Sequence, residues 1–435
     1  MKVLLINPPT LYTSRSGGGI DIPFGLLAIA ALVKFFADVS ILDISAEQFS
    51  KVEVVEKIKQ IQPDVVGITC WISTFPYVKW LSQAIADLMP NVPIIGGGPF
   101  ATVAPEIYLN HTKISVVVIG EGEITFPHLL HAIENREQIG VVPGVAYKRD
   151  GKVTYSPIRK ELFRLDEIVR YPYEFIPMDK YLGVPFERFS ARGTSLLTDR
   201  GCPCFPCSFC NANYLGRYRA RSFDNVREEV KFLREKYNVD LLFICDAILT
   251  LSREKTEKIS ELMADLGMEW FGQTRVDRVL RYSDLLPVMA KRNCEELWLG
   301  FENANKSIAK KGVTIGQCEG AIDLIQNAGM GVVLFVLFGL PGDTEESLQA
   351  TIDFVKRKNV LANPSALFVI PGTSLATHTN AMGKGLDFLD LTQRFYDEYF
   401  QSNRNIALPN LSNVSDMRIK EAIDELWEHN RSLKV

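Results

Sequence analysis

The chain has 435 residues, 47% of them hydrophobic, and 48 Lys+Arg against 52 Asp+Glu give a net charge of −4. It is too long for one ordinary domain and too apolar for a disordered chain. Its even charge balance excludes the basic excess of most nucleic-acid binders, and no stretch reaches the roughly 18 apolar residues of a membrane span.

The opening MKVLLINPP has one basic residue and a short apolar run before two prolines, so it reads as a buried strand, not a signal peptide. The expected location is the cytoplasm. Residues 1–135 alternate strand and helix. Strands are predicted at 2–7, 39–43, 64–69, 92–96 and 115–120, each short and rich in Val, Ile and Leu. Helical patterns lie between them, for example over 25–36, 52–62 and 75–88. Five such units predict a doubly wound parallel sheet of Rossmann or flavodoxin-like type, which binds ligands at the carboxyl ends of its strands. Those ends carry Pro8-Pro9, Thr69-Cys70, Gly96-Gly97-Gly98-Pro99 and Glu121-Gly122-Glu123.

Residues 136–190 break the pattern. Two short strands flank Asp150-Gly151, a strong hairpin signal, and scattered prolines follow. This stretch reads as a hairpin and an irregular linker. Residues 191–375 return to strand–helix alternation, with strands at 194–198, 240–245, 269–275, 296–302, 332–338 and 366–370. Asp224, Ser252 and Thr344 or Asp343 are the expected helix caps. Six units suggest a partial, open (β/α)6 barrel of TIM-like type. Residues 376–435 read as a small helical region, with Phe388, Leu391, Phe395 and Tyr399 on one face and Ile419, Ile423, Leu426 and Trp427 on another.

Eight cysteines are present, four of them between positions 202 and 210. A disulfide framework would spread them differently. Cys70, Cys245, Cys294 and Cys318 lie in apolar runs and read as core fillers. The tight group follows the first barrel strand as Arg200-Gly-Cys-Pro-Cys-Phe-Pro-Cys-Ser-Phe-Cys210. Thiolates suit an iron–sulfur cluster or zinc. Cys207 and Cys210 with one upstream cysteine can hold three corners of a cubane and leave one iron open. Cys202, Cys204, Cys207 and Cys210 together would instead make a four-thiolate zinc site. Asp246 reads as a cavity residue or a helix cap. His128 and His131 have no partner ligands in the pattern and read as structural or surface residues.

This loop resembles the cluster loop of the radical S-adenosylmethionine (SAM) enzymes, three cysteines spaced CxxxCxxC, often after Arg-Gly and with an aromatic before the last. Here four residues separate Cys202 from Cys207, and one of them is Cys204. The first ligand is therefore ambiguous between Cys202 and Cys204; the resemblance favours Cys202, because Arg200-Gly201-Cys202-Pro203 aligns as a unit, beside Cys207 and Cys210. The resemblance implies that Phe209 uses its backbone near the adenine. Gly300-Phe301-Glu302 resembles the family's G-x-E, whose Glu faces SAM. Gly339-Leu340-Pro341-Gly342-Asp343-Thr344 resembles its GxPGET turn, and Pro371-Gly372-Thr373 also fits. Gln273-Thr274-Arg275 ends the third strand, where polar groups would face the cavity. Arg275, Glu302, Gly339, Pro341 and Gly342 are thus expected at SAM, although Arg275 and Glu302 could instead form an ion pair.

The first 135 residues resemble the cobalamin-binding domain fused ahead of many such enzymes. The resemblance places Pro8, Thr69, Gly97, Gly98, Thr102 and Glu121 at the corrinoid. The Asp-x-His-x-x-Gly variant that ligates cobalt is absent, and Phe100 stands where relatives often have His. The implied cofactors are a 4Fe–4S cluster, SAM and cobalamin. The implied activity is methyl transfer to an unactivated carbon. The alternatives are a cobalamin-linked radical cyclase or oxidoreductase without methyl transfer, and a non-catalytic corrinoid or iron–sulfur binding protein. The implied partners are a small-molecule or peptide substrate and an electron donor such as a flavodoxin or ferredoxin.

Overall fold

In the computed structural model the KVLLIN run forms strand β1 (Lys2–Asn7), buried at every residue after Lys2. The structure describes residues 1–9, 22–183, 189, 191–204, 207–304, 313–381, 387–395, 397 and 409–433. Strands β2 (Asp38–Asp43), β3 (Val65–Thr69), β4 (Ile94–Gly97) and β5 (Val116–Val118) join β1 in parallel. Their order is β2-β1-β3-β4-β5. Helices Phe24–Val33 and Gly122–Glu134 cover one face through Leu26, Ala30, Phe126 and Leu129. Helices Lys51–Ile61, Phe75–Leu88 and Pro105–His111 cover the other through Val54, Val78, Leu81 and Tyr108. This is the expected doubly wound sheet. Strand order reverses between β1 and β3, which opens a crevice at their carboxyl ends.

The predicted hairpin forms as β6 (Val145–Arg149) and β7 (Lys152–Tyr155), with positive φ at Asp150 (51°) and Gly151 (74°). It does not stand apart as a linker. β6 pairs antiparallel with β5, so the hairpin extends the first sheet to seven strands. The outer edge of β5 offered unpaired backbone groups, and the hairpin satisfies them.

The chain divides into two compact units. The first holds residues 1–184, 214–216 and 387–396; the second holds 185–213, 217–386 and 397–435. The second unit contains β8 (Gly193–Leu196), β9 (Asp199–Arg200), β10 (Arg219–Ala220), β11 (Leu241–Ile244), β12 (Glu269–Thr274), β13 (Cys294–Glu302), β14 (Gly331–Phe338) and β15 (Leu361–Ala366). Six of these make a parallel sheet in the order β8-β11-β12-β13-β14-β15, the partial barrel expected, while β9 and β10 form a separate antiparallel ribbon.

Two local expectations need correction. The first cap of this unit is Ser222, whose hydroxyl accepts from the Asn225 amide, and not Asp224. Ser252 and Thr344 cap as expected. The last strand is LANPSA, not the more apolar stretch at 366–370. It lies at the sheet edge, where Pro364 is tolerated. Helix Asp416–Ser432 covers that edge: the Asn430 amide both accepts from Ala362 N (2.9 Å) and donates to Ala362 O (2.6 Å). A side-chain amide thus stands in for a seventh strand.

Helix Phe388–Phe395 belongs to the first unit, where Leu389 packs on the core. Tyr399 lies outside the described residues. Among those described, no helix is long and apolar enough to cross a membrane.

Candidate functional site

In the first unit the polar groups gather at the carboxyl ends of β1–β5. Asn7 donates to Asp43 Oδ1 (2.9 Å), and Tyr181 donates to the same carboxylate. Burial pushes the Asp43 carboxyl up, partly offset by these two donors. Pro8 follows, buried, at the end of β1.

Gly98 is required: at φ 91° an added Cβ would lie 2.6 Å from Thr69 Oγ1 and 2.8 Å from Cys70 N. Gly97 differs, since an added Cβ there meets nothing within 4 Å. It borders open space, as a backbone approached by a flat cofactor would. Thr102 is a tie between loops, with its hydroxyl donating to Gly98 O (2.9 Å) and accepting from Gly120 N (3.0 Å). Glu121 is buried and its carbonyl accepts from Arg159 (2.6 Å).

Phe100 points away from this edge into the core, with its ring 5.0 Å from Phe75. A side chain at that position is not placed to ligate a metal at the strand ends. His131 is exposed and stacks on the ring of Phe36 (5.4 Å), a surface contact. The sequence reading missed Trp71, which follows β3 and remains 48% exposed beside the ring of Tyr214. A large aromatic just past a switch-point strand was the available signal.

In the second unit the cysteine loop is anchored at both ends. Asp246, after β11, holds its root: Oδ1 accepts from Thr198 N (2.7 Å) and Asp199 N (3.0 Å), and the Thr198 hydroxyl donates to Oδ2. Asp246 is therefore neither a cavity residue nor a helix cap. Lys255 Nζ, almost fully buried, bridges Asp246 (2.8 Å) and Asp199 (2.5 Å). Two buried carboxylates share one ammonium. Burial, then the charge of Asp246, pushes the Asp199 carboxyl up to about 7, against the pull of Lys255. Burial and the Asp199 charge push the nearby Tyr218 hydroxyl up to about 12. Burial would lower the Lys255 ammonium, but the two carboxylates outweigh it and raise it.

The far side of the loop reaches across to the opposite edge of the sheet. Ser208 O accepts from Leu375 N (2.9 Å) and Ser374 Oγ (3.3 Å), at the start of the helix after β15. The described parts of the loop thus contact groups beside the first strand of the six-stranded sheet and the helix after its last.

The remaining expected residues lie at that mouth. Arg275 ends β12 and pairs with Asp277 (2.8 Å), while Phe209 is half-buried on the loop. Burial opposes the Arg275 charge, but Asp277 and then Cys204 and Cys207 sustain it. Glu302 is buried at a bulge between β13 and β14, with φ 71°. A left-handed Glu at the end of a strand is strained, and such strain collects at functional sites. The turn at Gly339 (φ 89°) and Gly342 (φ 79°) is locked by Asp343. Its carboxylate accepts from Gly339 N (3.1 Å), Leu340 N (3.0 Å) and Asn303 Nδ2 (2.8 Å), so the residue after Glu302 is tied to this turn.

None of the eight cysteines is in a disulfide. Cys70, Cys294 and Cys318 are buried as expected, while Cys245 is partly exposed and donates to Leu196 O (3.2 Å). Cys202 is half-buried, which raises its thiol, and the charges of Cys204, Cys210 and Cys207 act on it as well. The four loop thiols are therefore electrostatic neighbours. Among the described residues, no three Cys, His, Asp or Glu side chains already converge as a metal site. The donor set nonetheless fits an iron–sulfur cluster: thiols outside any disulfide, partly exposed, on an anchored loop beside Arg275 and Arg278.

Comparison with known proteins agrees with both halves. A family model for the B12 binding domain matches residues 15–130, and one for the Radical SAM superfamily matches 197–355. An uncharacterized methyltransferase of Pyrococcus horikoshii is 31% identical over 86% of this chain and 82% of its own length. The anaerobic magnesium-protoporphyrin IX monomethyl ester cyclase of Rubrivivax gelatinosus is 29% identical, over 82% of this chain and 66% of its own length. Among solved structures, the radical SAM methyltransferase TsrM of Kitasatospora setae, with cobalamin and a 4Fe–4S cluster bound, superposes with a TM-score of 0.72. That match covers 98% of this chain and 88% of TsrM at 17% identity.

Proposed function

From the premise that this chain belongs to the cobalamin-dependent radical SAM enzymes, we propose that it transfers a methyl group to an unactivated carbon of a biosynthetic intermediate. The observation that carries methyl transfer is the 31% identity, across both units, to a protein named as a methyltransferase. Cys202, Cys207 and Cys210 would hold the cluster. Phe209, Arg275, Glu302, Gly339, Pro341 and Gly342 would receive SAM at the barrel mouth. Pro8, Thr69, Gly97, Gly98, Thr102 and Glu121 would line the corrinoid crevice. When bound, the cluster supplies the electron that cleaves SAM and the corrinoid carries the methyl group.

The chain's own task is to position these groups. Asp246 and Lys255 fix the root of the cysteine loop, and Ser374 and Leu375 fix its far side. Asp343 and Asn303 hold the two backbone turns flanking Glu302 in one geometry. The Arg275 charge, sustained beside the thiols, suits the carboxylate of SAM. A small molecule is the favoured substrate, with a flavodoxin- or ferredoxin-like protein as electron donor.

The identity to the cyclase keeps radical ring formation as a second reading. Product analysis separates the two. The reconstituted enzyme, given SAM and a low-potential reductant, should release 5′-deoxyadenosine and about one S-adenosylhomocysteine per bound corrinoid. Deoxyadenosine without S-adenosylhomocysteine would favour the cyclase reading. Neither product would remove both.

A further inference from the structure

The cysteine loop carries one more thiol than the proposed cluster needs. Four cysteines lie between positions 202 and 210. Four thiolates would saturate a cubane and leave no iron open for SAM. The structure gives Cys204 a cationic partner. Arg278 Nη2 lies 3.4 Å from Cys204 Sγ. Cys202 Sγ, by contrast, faces its own loop, 3.8 Å from Cys204 O.

Arg278 belongs to helix Val276–Arg281, directly after β12, so the barrel and not the cysteine loop sets its position. Its side chain is 21% exposed. A guanidinium–sulfur contact that sheltered is charge-assisted and keeps most of its strength.

We propose that Arg278 holds the Cys204 sulfur off the cluster, so that the iron not bound by Cys202, Cys207 and Cys210 stays open for SAM. Arg278 is thus a positioning residue acting through Cys204. Without it, the Cys204 sulfur is able to ligate the fourth iron, the thiol proton passing to solvent as the iron–sulfur bond forms. No oxidation or reduction is involved. The inference rests on the cluster reading and deepens it.

The test is anaerobic reconstitution of the full chain with iron and sulfide, followed by electron paramagnetic resonance of the reduced cluster with and without SAM. The wild type, Cys202→Ala, Cys204→Ala, Arg278→Leu and the Arg278→Leu/Cys204→Ala double variant are compared. Cys204→Ala should keep its iron and its response to SAM, whereas Cys202→Ala should lose iron. Arg278→Leu should keep its iron, but its SAM-dependent spectral change should fall about tenfold, the worth of one hydrogen bond to a charged group. Removing Cys204 as well should restore that change.

Loss of iron in Cys204→Ala would make Cys204 a ligand and overturn the proposal. A full SAM response in Arg278→Leu, or no rescue in the double variant, would overturn it too. Failure of the wild type to assemble a cluster would instead sink the cluster reading itself.

Discussion

Asp246→Asn is expected to lower the melting temperature of the second unit by roughly 10 °C and to cut iron uptake with it. The carboxylate accepts two backbone amides, a threonine hydroxyl and the Lys255 ammonium. Asparagine can keep the amides on its oxygen, but its own NH2 then confronts two donors. Breaking a buried, hydrogen-bonded ion pair in this way costs about 3–5 kcal/mol.

Asp199→Asn, on the same lysine, should do less damage at alkaline pH. The Asp199 carboxyl is held up at about 7 by burial and Asp246, and its Oδ1 is buried without a hydrogen-bond partner. The folded state then keeps a proton that the unfolded chain has released above its ordinary carboxylate value. The stabilisation is therefore full in acid and is lost as pH rises through about 7. Thermal melts at about pH 5 and about pH 8 should show the wild type losing stability on alkalinisation and Asp199→Asn losing less. Equal damage from both substitutions at the higher pH would contradict this assignment of roles.

Glu302→Gly should separate stability from binding. Glycine adopts the observed φ of 71° without the strain of about 1–3 kcal/mol that other residues carry there. Its greater freedom in the unfolded chain offsets about 0.5–1 kcal/mol of that relief. The variant should melt at or slightly above the wild type, yet bind SAM at least about tenfold more weakly, as loss of one charged hydrogen bond dictates. Glu302→Gln keeps the strain and loses the charge, so it should bind weakly with no gain in stability. Wild-type binding by the glycine variant would make Glu302 a structural residue.

The strands legible in the sequence were those with an apolar run and no competing signal, such as KVLLIN and VVGIT. The last barrel strand was misplaced because an edge strand covered by one helix needs little apolar character, and LANPSA has little. The hairpin was legible from Asp150-Gly151, but its attachment to β5 was not, since local turn chemistry carries no information about a distant edge. The cysteine loop, Glu302 and the glycine turns were readable as motifs.

The groups that hold them were not. Lys255 meets Asp199 across 56 residues, and Arg278 meets Cys204 across 74. Such pairs have no periodicity and no fixed spacing, and they exist only once the strands are aligned.

The central claim is that this chain carries a cluster on its second unit and a corrinoid on its first. Metal content per chain, after anaerobic reconstitution with iron, sulfide and hydroxocobalamin, tests it most directly, in the wild type and in Gly97→Val. The wild type should hold about four iron and about one cobalt. Gly97→Val places its side chain in the open space beside β4 and should keep the iron while losing most of the cobalt. Iron without cobalt in the wild type, or cobalt undiminished by valine at position 97, would contradict the account.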